Sequence, residues 1–308
     1  MAKQKTIQRE VSLKGTGIHT ANKVNLTFKP AEVDNGVNFI RTDLASRPKI
    51  KASVEHLLPQ SSMRRTSIAQ EGVEIHTLEH LMAALAGVGI DNINIEIDNN
   101  ELPGLDGSSL GFFEVLNKAG IKEQEKIRQD YSIKEPIFAE EDGASIVVVP
   151  ARELKISYMV SYDHPLLKAQ FMEINLNASV FKNELVCART FCLEDEAEEL
   201  RQQGLGLGAN YENTIVLGKN GVIKNKLRYE DEFIRHKILD LLGDLYILGV
   251  PIKGHVIALR SGHSLNLKLV KKIEQQRQRY ALGGVGIGYH PREGEELNAE
   301  EIMKIRSS

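Results

Sequence analysis

EFIRHKILDLLGDLYILGVPIKGHVIALRSGHSL, residues 232–265, reads as a helix, a stop, a strand and the opening of a second helix. Apolar residues at helical spacing run from about Glu232 to Leu248, where Gly249 and Pro251 end the run. His255–Leu259 alternates as a strand, and SGHSL (261–265) leads into a helix over Asn266–Glu274. The same order stands earlier in the chain. A helix over Thr77–Ala86 is stopped by Gly87 and Gly89, Ile93–Ile97 alternates, and LDGSS (105–109) leads into a helix over Leu110–Lys118. His80 precedes His236 by nearly the offset at which Gly107 precedes Gly262. Two anchors at nearly the same offset, within one order of elements, predict a duplicated unit. The expected fold is α+β: two duplicated, layered α/β sandwich domains with the active site in the cleft between them.

Outward from these units, strands are predicted at Thr6–Leu13, Val24–Lys29 and Gly36–Arg41, and again at Tyr131–Phe138, Ala144–Val149 and Leu154–Tyr162. The charged run Lys122–Asp130 reads as a linker, which places the domains at residues 1–128 and 129–280. Phe181–Leu217, with ARTFCL (188–193) and GLGLGAN (204–210), has no counterpart in the first half. It reads as an apolar, loop-rich insertion in the second domain, suited either to packing the domains or to touching a ligand. Its GLGLG does not follow a strand, as a dinucleotide-binding fingerprint would. Residues 281–308, Gly-rich at the start, read as a linker or tail.

Composition excludes several classes. At 308 residues and 42% hydrophobic content the chain can bury two ordinary cores. A net charge of −3 with no Lys/Arg-rich block argues against nucleic acid and against a polybasic membrane tether. The N-terminus MAKQKTIQREV lacks a following apolar region, and no run approaches the ~20 residues of a membrane span, so a cytoplasmic location is expected. Cys187 and Cys192 are too few for a disulfide framework and read as reduced thiols, Cys192 near a pocket.

The polar residues of the opening stretch do not suit a core helix. His236, Asp240 and Asp244 recur every fourth residue and share a face, with Lys237 about 100° round from the first. Imidazole and carboxylate one turn apart suggest a metal site. In HTLEH (76–80), Glu79 stands beside His80; read alone, the pattern also fits a metalloprotease motif with His76 and His80 as ligands, or a surface histidine at His76. His80, His236 and Asp240 together would make a three-ligand zinc site with a fourth position open for water. A mere surface pairing of Asp240 with Lys237 or Arg235 fits poorly, because Ile238, Leu239, Leu241 and Leu242 demand burial. His263, in the turn where the first unit has Ser108, would pair with Glu79 as proton donor and acceptor if it faces the metal, with Asp244 behind it. Lys237 would then bring positive charge toward an oxyanion or phosphate.

HTLEHLMAAL, GIHTANK, LDGSS, ARTF, LRYEDEFIRHKILDLLGDL and SGHSLN closely resemble the zinc-dependent UDP-3-O-acyl-N-acetylglucosamine deacetylases of lipid A biosynthesis, over about Thr6–Ile273. The resemblance implies a hydrolase acting on an acylated UDP-sugar. It implies that His80, His236 and Asp240 hold Zn²⁺, although two histidines and a carboxylate also suit Fe²⁺. Glu79 would be the general base on the attacking water, Thr190 would help bind the oxyanion, and His263 would be general acid for the departing amine, supported by Asp244. Phe191 would lie near the sugar and acyl chain, and Lys237 and Arg260 near the charged substrate, Arg260 toward the diphosphate. The apolar insertion becomes an acyl-chain passage, where each buried CH₂ contributes about 0.8 kcal/mol. Transient contact with membrane-bound enzymes of the pathway is compatible with this role. Two other classes share the pattern: a binding protein for nucleotide-sugar lipid precursors that has lost turnover, and a zinc amidase acting on another N-acetyl sugar.

The chain departs from the family's usual pattern in places. Ala21 follows His-Thr where glycine is usual, LPGLDGSS replaces a form with Ile before LDG, Gly208-Ala209 stands where a Gly pair is frequent, and His76 replaces a small hydroxyl residue. These touch loop shape and acyl-length preference rather than chemistry. LNAEEIMKI (297–305) is similar to the opening of 3-hydroxyacyl-carrier-protein dehydratases, which implies a C-terminal dehydratase domain in a longer fusion.

Overall fold

The computed structural model describes residues 2–58, 64–164 and 167–282. The first half runs β1 (Lys3–Ile7), β2 (Val11–Thr16), β3 (Lys23–Pro30), β4 (Val37–Arg41), β5 (Lys49–Lys51), a hairpin of β6 (Ser67–Gln70) and β7 (Val73–His76), α1 (Glu79–Val88), β8 (Ile93–Ile97), α2 (Leu110–Ala119) and β9 (Ile121–Ile127). The second half runs β10 (Tyr131–Ser132), β11 (Ile137–Glu141), β12 (Ala144–Val149), β13 (Leu154–Val160), β14 (Gln170–Asn175) and the short α3 (Ala178–Val180). It continues through β15 (Phe191–Leu193), α4 (Glu194–Gln202), β16 (Ile215–Gly218), β17 (Gly221–Ile223), α5 (Glu232–Tyr246), β18 (Ile252–Leu259) and α6 (His263–Ala281).

The duplication is visible in the strand order. One sheet is β2-β3-β8-β4-β5 and the other β11-β12-β18-β13-β14. Corresponding neighbours even run in the same sense: β3–β8 and β12–β18 are antiparallel, β4–β8 and β13–β18 parallel. Strands such as β8 bury alternate residues, as expected where only one face of a sheet meets the core. Helices cover that face, α2 packing on β2 and α6 on β11 and β12. The two halves meet through α1 and α5, and one apolar core runs through both. Across this junction Tyr246 Oη donates to Ile90 O at 2.8 Å.

Two glycines explain how closely the helices approach. A Cβ on Gly243 would lie 2.1 Å from the Glu79 carbonyl oxygen, so α5 passes α1 backbone to backbone. Gly87, expected as a helix stop, instead lies inside α1, where a Cβ would lie 2.1 Å from the Phe181 ring. Only Gly89, at φ +77°, ends the helix.

Other expectations are corrected. Lys122–Asp130 is not a linker: most of it is β9, antiparallel to β1 and largely exposed, so its charged side chains stay in water while the backbone pairs. Thr6–Leu13 holds parts of two strands, broken between β1 and β2. α6 continues past Glu274 to Ala281, because buried Gln276 accepts from Tyr131 Oη (2.9 Å) and from Lys134 N–H (3.0 Å). The rest of the expected tail, residues 283–308 with the dehydratase-like segment, lies outside the described residues. Among the described residues no helix is long and apolar enough to cross a membrane.

Candidate metal centre and catalytic cleft

The junction of α1 and α5 gathers the polar residues picked out in the sequence. His80 stands in the first turn of α1, and His236 and Asp240 lie one turn apart on α5. His80 Nε2 is 3.6 Å and His236 Nε2 3.4 Å from Asp240 Oδ1, and one ligand atom from each of the three lies within 4.8 Å of the others. All three are buried. Asp240 Oδ1 is buried without a hydrogen-bond partner among the described residues, a costly state for a carboxylate oxygen unless a cation meets it. Two imidazole nitrogens and an orphaned carboxylate oxygen fit a metal ion.

The surroundings orient these ligands. His236 Nδ1 is 3.1 Å from the Ala188 carbonyl, which leaves Nε2 for a metal. Ser109, from LDGSS, donates through Oγ to the His80 carbonyl at 2.7 Å and so ties α1 to the loop before α2. Burial depresses His236 to about 4 despite the nearby Asp240 carboxylate, which keeps the imidazole in its ligating neutral form.

Glu79 and His263 stand beside the metal set. Glu79 is buried, and the Thr66 N–H donates to its Oε2 at 3.0 Å. Burial raises its carboxyl pKa, with His263 and His80 pulling the other way. His263, the first residue of α6, donates through Nδ1 to Asp244 Oδ2 at 2.9 Å and turns Nε2 toward Asp240 Oδ2, 3.8 Å away. Burial opposes a charge on His263, but Asp244 and Asp240 outweigh it and lift the imidazole to about 10. Lys237 Nζ lies 3.8 Å from Asp240 Oδ2.

Thr190, Phe191 and Arg260 line the same cavity, of about 1080 Å³. Thr190 is held from both sides: its N–H donates to the Gly107 carbonyl at 2.8 Å, and its own carbonyl accepts from the Ile215 N–H at 2.9 Å. Gly107 has φ +83°, and a Cβ there would strike the Asn213 carbonyl. Phe191 packs edge-on against Phe233 and Tyr162, 6.3 Å from the His236 ring. Arg260 is exposed at the rim. Cys192 also faces the cavity, where burial pushes its thiol up to about 11.

The structure separates His76 from the metal set. Thr77, at φ +61°, breaks the chain between β7 and α1, so His76 and His80 do not share a helix face. His76 is not a surface residue either; it is buried, with Nδ1 2.9 Å from Ser67 Oγ.

Several supporting residues were not legible in the sequence. Thr66 serves both halves, donating to Glu79 through its N–H and to Asp244 Oδ1 through its hydroxyl. Asn266 Nδ2 donates to Asp244 Oδ2 at 2.8 Å. Arg189 pairs with the fully buried Glu232, Nε to Oε1 at 2.8 Å, and so fixes the start of ARTF against the first turn of α5. Buried Glu101 accepts from the N–H groups of His19 and Thr20 at 2.9 and 2.8 Å, holding the GIHT turn at the cavity edge. Ala21, in this turn, takes φ +59°, which is the conformation that favours the glycine usual there.

A metal-ligand set between two repeated α+β halves, flanked by a buried carboxylate and an imidazole held by Asp244, defines the class as a metal-dependent hydrolase. Residues 4–275 match the family described as UDP-3-O-acyl N-acetylglycosamine deacetylase, and the chain belongs to that family. Among its relatives, the UDP-3-O-acyl-N-acetylglucosamine deacetylase of Syntrophus aciditrophicus (strain SB) is 37% identical over 278 residues, 90% of this chain and 88% of that one. The protein of the same name from Thermodesulfovibrio yellowstonii is 40% identical over 270 residues, 88% of this chain and 91% of that one. The one from Citrifermentans bemidjiense is 39% identical over 280 residues, 91% of each.

Proposed function

We propose that the chain hydrolyses the N-acetyl group of UDP-3-O-acyl-N-acetylglucosamine, releasing acetate, in the lipid A pathway, and that Zn²⁺ is the metal held by His80, His236 and Asp240. The observation that carries this reading is the placing of a buried carboxylate, Glu79, and an imidazole held by a carboxylate, His263 on Asp244 at 2.9 Å, beside one metal-ligand set. An amide needs both, because water is a poor nucleophile and the amide nitrogen a poor leaving group.

A metal bound there supplies Lewis acidity and a water of lowered pKa. Glu79, oriented by the Thr66 N–H, takes a proton as the water oxygen bonds to the acetyl carbon. The Thr190 hydroxyl donates to the carbonyl oxygen as charge develops there, and Lys237, which lines the same cavity, adds positive charge. His263, its Nδ1–H held by Asp244, gives its Nε2 proton to the nitrogen as the C–N bond breaks. Acetate and a free amine result.

The rest of the cavity suits the remainder of this substrate. Ile18, Tyr162, Phe191, Ala197, Leu200 and Val216 offer apolar surface to an acyl chain, and Arg260 at the rim offers charge to a diphosphate. We take residues 1–128 and 129–280 as the two domains, a division supported by the pairing of β9 with β1 and of β10 with β18. A cytoplasmic site of action accords with a nucleotide-sugar substrate.

The test is acetate release from the acylated UDP-sugar and from its non-acylated analogue by the metal-loaded protein. Strong preference for the acylated compound is expected. Equal turnover of both would favour an amidase on another N-acetyl sugar, and binding without acetate release would leave a precursor-binding protein.

A further inference from the structure

The insertion helix α4 supplies one side of the cavity through Glu194, Glu196, Ala197, Leu200 and Arg201, yet none of its nine residues is buried. It packs on β15 and β16, at the edge of the fold. A helix of this length with no buried face is marginal by itself, so whatever fixes its position must come from specific contacts. Two converge on one side chain. Glu196 Oε2 accepts from the Leu193 N–H at 3.1 Å, closing the helix start. The same carboxylate is gripped by Arg64 of the first half, whose two terminal nitrogens reach Oε2 and Oε1 at 2.9 and 2.7 Å. This is a fork-to-fork pair between residues far apart in the chain, and both side chains line the cavity.

Resting on the deacetylase reading above, we propose that the Arg64–Glu196 pair is a specificity-determining tie, which holds α4 against the first half and thereby sets the width of the passage that takes the acyl chain. Arg64 and Glu196 are positioning residues, acting through Ala197 and Leu200 on the same helix. The reacting atoms lie elsewhere, beside Glu79 and His263, so loosening the tie should weaken capture of the acyl chain and leave the chemical step alone. The backbone of the insertion is also joined to the first half further on, where the Leu207 and Gly208 N–H groups donate to the His19 and Ile18 carbonyls at 3.1 Å each. Loss of the pair therefore frees α4 without detaching the insertion.

Two substitutions separate the tie from the helix cap. Glu196→Gln keeps an oxygen for the Leu193 N–H but removes the charge; Arg64→Met leaves the cap untouched. Steady-state kinetics of metal-loaded wild type and both variants would be measured on the acylated UDP-sugar and on its non-acylated analogue. The expected result is a rise in KM of about fivefold for the acylated substrate in both variants, the scale of one partly exposed ion pair. The kcat and the turnover of the non-acylated analogue should stay at wild-type values, and Arg64→Lys, which keeps the charge, should recover part of the KM. An unchanged KM in both variants, a change in Glu196→Gln alone, or an equal loss on both substrates would each overturn the proposal. If wild type itself fails to release acetate from the acylated substrate, the functional reading fails and the inference falls with it; if wild type turns over and the variants match it, only the inference fails.

Discussion

Gly243 on α5 faces the Glu79 carbonyl oxygen on α1 so closely that a methyl group there would lie 2.1 Å from it. The helix that carries two of the candidate metal ligands is thus pressed onto the helix that carries the third and the candidate base. The candidate site lies where the two halves of the duplication meet.

Gly243→Ala should therefore affect more than packing. The added methyl meets backbone, which cannot rotate away, so the helices must part and stability should fall by about 1–3 kcal/mol. Thermal unfolding would register that loss. Metal affinity should fall with it, since His80 moves relative to His236 and Asp240; a stability loss with unchanged metal affinity would mean that the junction does not set the ligand geometry.

Glu79→Gln keeps the acceptor for the Thr66 N–H but removes the base. The kcat for acetate release should drop by about 10²–10⁴-fold. Metal content, measured by elemental analysis, should remain at the wild-type level, because Glu79 lies outside the metal-ligand set.

Asp244→Asn tests the proposed acid. The Asp244 carboxylate is the foremost influence raising the His263 imidazole to about 10 against the cost of burial. His263 is active as the protonated form, so activity is lost as pH rises through its pKa. Without the carboxylate that pKa drops, and the alkaline limb of the pH–rate profile should move to lower pH. A limb that stays in place would assign it to another group.

His76 gives a prediction for stability. Burial holds its imidazole at about 4, against 6.5 for an exposed histidine. The folded state keeps it neutral while the unfolded chain binds a proton, so its contribution is present above pH 6.5 and is lost as pH falls toward 4. Denaturant midpoints taken across this window should decline in wild type and decline less in His76→Gln; parallel curves would show that His76 is not responsible.

The sequence carries some of these features plainly and others not at all. His236, Asp240 and Asp244 were legible because a helix face repeats every fourth residue and these three interrupt an apolar run. The duplication was legible because Gly-Xaa-Ser-Leu recurs at nearly the same offset after a histidine-bearing helix. Thr66 was not, since its role arises from the β6–β7 hairpin, whose four-residue strands are too short to show a period. Glu232 and Arg189 read as ordinary charges until the fold buries them against each other. β9 looked like a linker because an edge strand exposed on both faces has no need of apolar alternation. His76 looked like a possible ligand because a five-residue pattern does not reveal the left-handed turn at Thr77.

The central claim is that the metal centre is shared between the halves, through His80 from one and His236 and Asp240 from the other. Metal content per chain, measured by elemental analysis after purification and reconstitution with Zn²⁺, tests it most directly on wild type and on His80→Ala, Asp240→Ala and His76→Ala. Wild type and His76→Ala should retain stoichiometric metal, and His80→Ala and Asp240→Ala should lose it. Retention in Asp240→Ala together with loss in His76→Ala would contradict the account.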